Sequence, residues 1–400
     1  MERARSTKSR LASLSKLRFK AEVGHELILL TDGLQPFMFR TGSGAIVVQA
    51  EMSYPPGSIQ QDKDPYPGLP GTVISRDNAR SWSRWYPPAG MALEPRCWLP
   101  NPAGDVGPIF EGTAAQLRNG PILIVNYAAD GPNVRGQWWG RLWESDDDFK
   151  TVKPLSMMID LPDARQDIGD SGHRYGIRFH RTLMELPNGD LLLTAYGVFV
   201  GDSVPMPGLP NCSKCRSILL RSRDRGRHWE YVSTMACDPT LTEEGFDEPV
   251  LARISRGERE GRLVCIARTG SWEDPLYEVI SDDEGKTWTK PSPLPFPGVD
   301  PDLIEMADGT LVCCFGWRVK LNPDCTVPKE HAYYLSFSHD QGDTWSELVR
   351  LDIGLHAPIR YGTAYSAVVE IEPGLLLVVY DVGSWGWPVR YLASRTVKLT

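Results

Sequence analysis

The octapeptide Ser281-Asp282-Asp283-Glu284-Gly285-Lys286-Thr287-Trp288 carries the pattern Ser-x-Asp-x-Gly-x-Thr-Trp, which returns in full at Ser338, Asp340, Gly342, Thr344 and Trp345. A third copy, Ser222, Asp224, Gly226, His228 and Trp229, has His in place of Thr. A fourth, Ser75, Asp77, Ala79, Ser81 and Trp82, lacks the Gly, and a fifth survives in outline at Ser145, Asp147, Phe149, Thr151 and Val152. Each residue type has a local task. Ser and Asp hydrogen-bond inside a tight turn, Gly supplies a positive φ that a Cβ would penalise, and the Trp ring fills the gap between neighbouring sheets. Repetition makes the aspartates hairpin staples and not catalytic acids.

A second repeat runs in step with the first. Short apolar runs follow Gly44, Gly120, Gly189, Gly261, Gly309 and Gly374, and are read as six inner strands, the first five each followed by an Asp turn. The sixth reaches the C-terminus without such a turn, so the segment Ala21 to Leu30 is expected to supply its outermost strand and close the ring. The expected fold is all-β: a six-bladed β-propeller of four-stranded antiparallel blades. One domain is expected over residues 21–400, preceded by a flexible basic tail over residues 1–20. The Pro/Gly-rich stretches Tyr54 to Gly71 and Ser203 to Pro210 read as long loops at one mouth.

The chain has 43 basic and 51 acidic residues, a net charge of −8, which argues against a nucleic-acid partner. It has no apolar run long enough to span a membrane. The N-terminus lacks the apolar core of a secretory signal, so a cytoplasmic location is the default expectation, with secretion or the periplasm open if a leader has been removed. Of the eight cysteines, Cys265, Cys313 and Cys314 fall in predicted strands and read as small hydrophobes. Cys212 and Cys215 form a lone CxxC, a weak signal for a disulfide or a metal that Cys237 would join. With no phosphate-binding loop and no His-Glu-x-x-His sequence, no nucleotide, haem or catalytic metal is expected.

Asp-box turns at blade spacing resemble those of the sialidase (neuraminidase) superfamily over nearly the whole chain, from about Glu22 to Thr400. The resemblance implies a six-bladed glycosidase with its site at the central axis. It maps a nucleophilic Tyr-Ser pair onto Tyr365-Ser366, a general base onto Glu248 and a carboxylate-binding arginine onto Arg268. A neutral phenol attacks an anomeric carbon beside a carboxylate with less repulsion than a carboxylate would, but it needs an adjacent base. The bland reading is that Tyr365 and Glu248 are hydrogen-bonded wall residues. The general acid falls on Asp64 or Asp62, in the loop between the first inner strand and the first Asp box, with a solvated acidic loop as the alternative.

The arginine triad of the superfamily is incomplete in this chain. Leu34-Gln35-Pro36 stands where the first arginine belongs, with Arg40 four residues beyond Pro36, and His331 stands at the third position. Arg181, Arg318, Arg360 and the His173-Arg174 pair are candidate substitutes. The partner expected is an acidic glycan: a sialoside, or another uronate or keto-sugar acid. Trp272, just beyond Arg268, is the tryptophan expected at the mouth of the site. Two other functions stay open. One is rhamnosidase- or lyase-type chemistry at rhamnose-glucuronate linkages with His331 or His180; the other is carbohydrate binding without turnover.

Overall fold

The structure is a computed structural model, and it describes residues 11–52, 69–85, 113–129, 131, 136–169, 174–241, 243–355, 361–384, 387 and 389–400. Asp62, Asp64, His173 and Arg360 lie outside the described residues.

Six antiparallel meanders follow one another among these residues. The first is Leu34–Arg40, Ile46–Met52, Leu69–Ser75 and Ser83–Trp85. The second is Thr113–Gln116, Ile122–Val125, Gln137–Ser145 and Lys153–Asp160, and the third Arg178–Glu185, Leu191–Phe199, Arg216–Ser222 and His228–Ala236. The fourth is Asp247–Arg253, Leu263–Arg268, Pro275–Ser281 and Ser292–Pro297, and the fifth Val299–Glu305, Leu311–Trp317, Ala332–Ser338 and Val349–Leu351. The sixth, Ser366–Glu372, Leu375–Val382 and Tyr391–Leu399, is completed by Ala21–Val23 and Leu27–Leu30, which pair antiparallel with its last strand, Ala21 opposite Leu399 and Leu27 opposite Ser394. No helix among the described residues is long and apolar enough to cross a membrane.

Two expectations need correcting. The apolar runs after the six glycines are strands, but each is the second of its meander, flanked by a partner on either side. That position explains their continuous burial, as in Leu311–Trp317, where every residue is buried. The meanders are also not all separate sheets: Lys153–Asp160 pairs in parallel with His228–Ala236, Met158 opposite His228, joining the second and third meanders into one sheet.

The Asp boxes are built as their composition requires. In the fourth meander Ser281 Oγ donates to Asp283 Oδ1 at 2.8 Å and accepts from the Gly285 N–H at 2.9 Å. Asp283 in turn accepts from the Thr287 N–H at 2.9 Å and the Thr287 hydroxyl at 2.7 Å. These bonds pull the Asp283 carboxyl down to about 2, so it is a fixed anion in a turn. In the third box His228 Nδ1 meets Asp224 Oδ2 where a Thr hydroxyl would. Ala79 and Phe149 hold φ values of 64° and 60° at the position of the Gly.

The chain divides into two compact units, Met1–Pro36 with Val250–Thr400, and Phe37–Pro249. In the first, two apolar clusters lie between sheets, one around Phe296, Phe315 and Trp345 and one around Tyr333, Phe337 and Tyr380. Residues 11–20, expected to be part of a flexible tail, are packed against both. Leu11 and Leu14 touch the former, Leu17 and Phe19 the latter, and Ser15 bridges backbone to backbone with Trp345 and Glu347. Glu26 fixes the following segment, accepting from the Tyr380 hydroxyl at 2.6 Å, the Tyr391 hydroxyl at 3.1 Å and the Gly354 N–H at 3.0 Å. The second unit is centred on Trp138, Phe179 and Trp229, with a smaller cluster around Phe39 and Phe149.

In that unit Cys212 and Cys215 are buried beside Tyr196 and Met206 and are not joined in a disulfide. Burial pushes the Cys215 thiol well up, which leaves it an unreactive small hydrophobe.

Candidate functional site

An antiparallel hairpin brings the start of its first strand to the same end as the finish of its second. Ser366 thus lies opposite Tyr380, and Val299 opposite Gly316. Four meanders carry a non-glycine residue at positive φ, each at this end of its own hairpin: Gln35 (55°), Arg181 (49°), Glu248 (44°) and Asp300 (48°), three of them followed by a proline. Around Arg181 and Asp300 the ladder register shifts, the mark of a bulge. A non-glycine residue in this region costs about 1–3 kcal/mol, and such strain gathers where side chains must be aimed.

In the first unit these strand ends assemble a polar site. Arg268, at the end of Leu263–Arg268, is 6% exposed. Its Nε donates to the Gly270 carbonyl at 2.9 Å, its Nη2 to Ser271 Oγ at 2.9 Å and its Nη1 to the Tyr365 hydroxyl at 3.2 Å. Arg318, just past Leu311–Trp317, places its guanidinium carbon 5.4 Å from the centre of the Tyr365 ring. It donates through Nε to the Thr363 carbonyl at 2.8 Å and through Nη1 to the Ser271 carbonyl at 3.4 Å. Among the described residues, Arg318 forms no ion pair with a carboxylate.

The strand that follows Tyr365 is pinned by acids. Asp300 Oδ2 accepts from the Ser366 N–H at 3.1 Å and Asp302 Oδ2 from the Val368 N–H at 2.8 Å. Gly316 lets this segment approach: a Cβ there would lie 2.0 Å from the Ala364 carbonyl oxygen. Asp381, fully buried, accepts from the Tyr333 hydroxyl at 2.6 Å, the Gln35 N–H at 3.0 Å and the Thr363 hydroxyl. Burial pushes the Asp381 carboxyl up against the pull of those hydrogen bonds.

His331 is 4% exposed. The Gly362 N–H donates to its Nε2 at 3.1 Å, and the Val319 N–H faces its Nδ1 at 3.3 Å. Burial first, and then the Arg318 charge, push this imidazole down to about 4. An imidazolium here would set two ring N–H groups against two backbone N–H groups. His331 is therefore an uncharged spacer and supplies no positive charge at the third arginine position. It stacks on Tyr361 at 4.1 Å between ring centres and 14° between planes, and Tyr361 stacks on Trp387 at 5.4 Å. Trp272 is half-buried with Lys320 Nζ 5.2 Å from its ring centre.

The second unit holds the other candidates. Glu248 is 7% exposed. His180 is 2% exposed with Nδ1 3.4 Å from the Pro249 carbonyl oxygen, and the Thr194 hydroxyl donates to its backbone carbonyl. The Arg181 guanidinium lies 4.9 Å from the Phe37 ring centre. A cluster that sequence reading missed sits at the same strand start. Arg178 lies 5.6 Å above the Tyr127 ring, and the Tyr127 and Tyr196 hydroxyls are 3.3 Å apart. Burial, with Tyr127, Glu248 and Asp247 adding to it, holds the Tyr196 phenol well above its usual value against the Arg178 charge. The available signal was Arg178-Phe179-His180-Arg181, a cation repeated across one strand start. Arg40 is exposed at the hairpin end of Leu34–Arg40, the end away from Gln35, so it does not supply the missing arginine there.

Five repeated turns and six meanders define a protein of the sialidase-like Asp-box superfamily. Residues 114–378 match the BNR repeat-like domain, and the chain belongs to that family. No curated protein matches the sequence. Among solved structures, the chain is similar to a protein of unknown function from Dyadobacter fermentans, at 19% identity and a TM-score of 0.67 over 95% of this chain and 99% of that one. It is also similar to the Penicillium chrysogenum alpha-L-arabinanase solved with arabinobiose, at 14% identity and 0.57 over 94% and 98%. A third similar structure is Trypanosoma rangeli sialidase, at 14% and 0.52 over 92% of this chain and 55% of that one. At these identities the likeness is one of fold.

Proposed function

We propose that this protein is a glycosidase that removes a terminal acidic sugar, a sialic acid or a related uronate or keto-sugar acid, with retention at the anomeric carbon. The six meanders are taken as the six blades of a propeller whose last blade borrows its outer strand from the N-terminal segment. The observation that carries the reading is the pair of guanidinium groups on Tyr365: Arg268 on its hydroxyl and Arg318 over its ring. A cation donating to a phenol oxygen favours the phenolate, the form that attacks carbon. The same two charges suit the carboxylate of the sugar.

In this reading the Tyr365 oxygen bonds to the anomeric carbon as the glycosidic C–O bond breaks, and a general acid gives its proton to the departing oxygen. Water then attacks the same carbon, losing a proton to that group and releasing Tyr365. Glu248 and Asp64 or Asp62 keep the base and acid roles that the resemblance implies, each open to its own substitution. Similarity to an arabinanase keeps neutral sugars in the test. Sialosides, uronate and keto-sugar acid glycosides and arabino-oligosaccharides are incubated with the protein in H₂¹⁸O, and products are weighed. An acidic monosaccharide carrying ¹⁸O, lost on Tyr365→Phe, is expected. A released arabinose would overturn the acidic substrate, an unsaturated uronate would overturn hydrolysis, and binding without any product would make the protein a lectin-like module.

A further inference from the structure

Tyr361 lies four residues before Tyr365, yet no part of the mechanism above uses it. Its ring stacks on His331 at 4.1 Å between ring centres and on Trp387 at 5.4 Å. A ring packed against two others has little rotational freedom, so its hydroxyl is fixed in direction. The side chain is 9% exposed, and among the described residues nothing hydrogen-bonds to that hydroxyl. Arg318 is anchored close by, on the carbonyl of Thr363 two residues further along, and its charge opposes the rise that burial imposes on this phenol. Among the described residues, Arg318 is tied to the Thr363 and Ser271 carbonyls, which position it without neutralising it.

His331 explains how the pair is built. It stands beside Arg318 at the mouth of the hairpin in which Trp317 pairs with Ala332. Being uncharged, it can accept the Gly362 N–H and pack flat on Tyr361. An arginine in its place would bring a second positive charge beside Arg318 and lose that acceptor.

We infer that Tyr361 and Arg318 together form the receptor for the acid group of the ligand, the phenol donating one hydrogen bond to a carboxylate oxygen and the guanidinium supplying the charge. His331 acts as the positioning residue beneath them. The inference rests on the acidic-sugar reading above. It adds that the carboxylate is read by one cation and one neutral donor at this point, in place of the absent third arginine.

The test is calorimetric titration of the full chain with N-acetylneuraminate and glucuronate, each beside its methyl ester. The expected result is binding of at least one acid in preference to its ester. Tyr361→Phe keeps the stack and should weaken that acid about tenfold or more while leaving the ester and the melting temperature unchanged. Arg318→Gln should abolish the preference. If the wild-type protein binds neither acid, the acidic-sugar reading falls and takes this inference with it. If it prefers the acid and Tyr361→Phe binds equally well, the inference alone is overturned. A loss of acid and ester binding alike in Tyr361→Phe would also overturn it, because it would mark Tyr361 as a packing residue.

Discussion

The Arg268 guanidinium donates to the Tyr365 hydroxyl at 3.2 Å across 97 residues of chain, and it is aimed there by its bonds to Gly270 and Ser271. Three donors of one planar fork are thus used on three different acceptors, an arrangement that an ammonium on a flexible stem does not reproduce.

Arg268→Lys is therefore expected to behave almost as badly as Arg268→Gln. Removing one preorganised donor from a developing charge commonly costs about 10²–10³ in kcat. Steady-state kinetics on whichever glycoside is turned over should show both variants down by about 10² or more in kcat. A lysine variant within a factor of three of wild type would mean that the charge matters and the fork does not.

Glu278 gives a prediction on stability that is independent of function. It accepts from the Trp345 indole N–H at 3.1 Å, and burial, with Asp343 and Asp340 adding to it, pushes its carboxyl up to about 7 from an ordinary 4.5. The folded state therefore holds a proton that the unfolded state has lost across this window. Stability contributed by Glu278 is full below about 4.5 and falls as pH rises toward 7, by a sum on the order of 3 kcal/mol. Glu278→Gln keeps an acceptor for Trp345 and has nothing to titrate. It should match wild type near pH 5 and exceed it near pH 8 in urea midpoint; equal midpoints at pH 8 would mean that Glu278 is solvated.

Phe19 tests whether the N-terminal segment belongs to the fold. It meets Phe337 edge to face at 4.7 Å and is half-buried. Phe19→Ala should cost about 1–2 kcal/mol, less than the ~3–5 kcal/mol of a core phenylalanine. A flexible tail would give no change in the denaturation midpoint.

The parts of this molecule that were legible in sequence are the local ones. An Asp box closes within eight residues, so Ser281 to Trp288 announces its own hydrogen bonds. An apolar run such as Leu311–Trp317 reports burial on both faces but not which neighbour lies on which side, and for that reason second strands were read as innermost ones. Arg268 and Tyr365 were found through the resemblance, whereas Arg40 was judged by its nearness in sequence to Pro36 and lies at the other end of the strand. The Tyr361 stack was invisible because it depends on a hairpin register, Trp317 opposite Ala332, and on a loop 31 residues beyond His331 in numbering, at Gly362. Residues 11–20 read as a tail by charge, while the alternation that matters, Leu11, Leu14, Leu17 and Phe19, is apolar and sparse.

Gly316 offers the sharpest separation of site from fold. It sits in the second strand of its meander, fully buried, where its lack of a side chain serves a close approach and not a special backbone angle. A Cβ would stand 2.0 Å from the Ala364 carbonyl oxygen and 2.6 Å from the Ala364 Cβ, and Ala364 already holds a φ of 72°. The strand itself is fixed by its pairing with Ala332–Ser338, so the Ala364–Tyr365 segment is the part that has to move. Gly316→Ala should therefore lose about 1–3 kcal/mol of stability by overpacking. It should lose disproportionately more activity, because Tyr365 would be carried away from the Arg268 fork, and a displacement of about 1 Å can cost on the order of 10²-fold in rate. Denaturation and kinetics on the same preparation decide it. A folded Gly316→Ala protein with wild-type turnover would show that the position of Tyr365 is not what the reaction depends on.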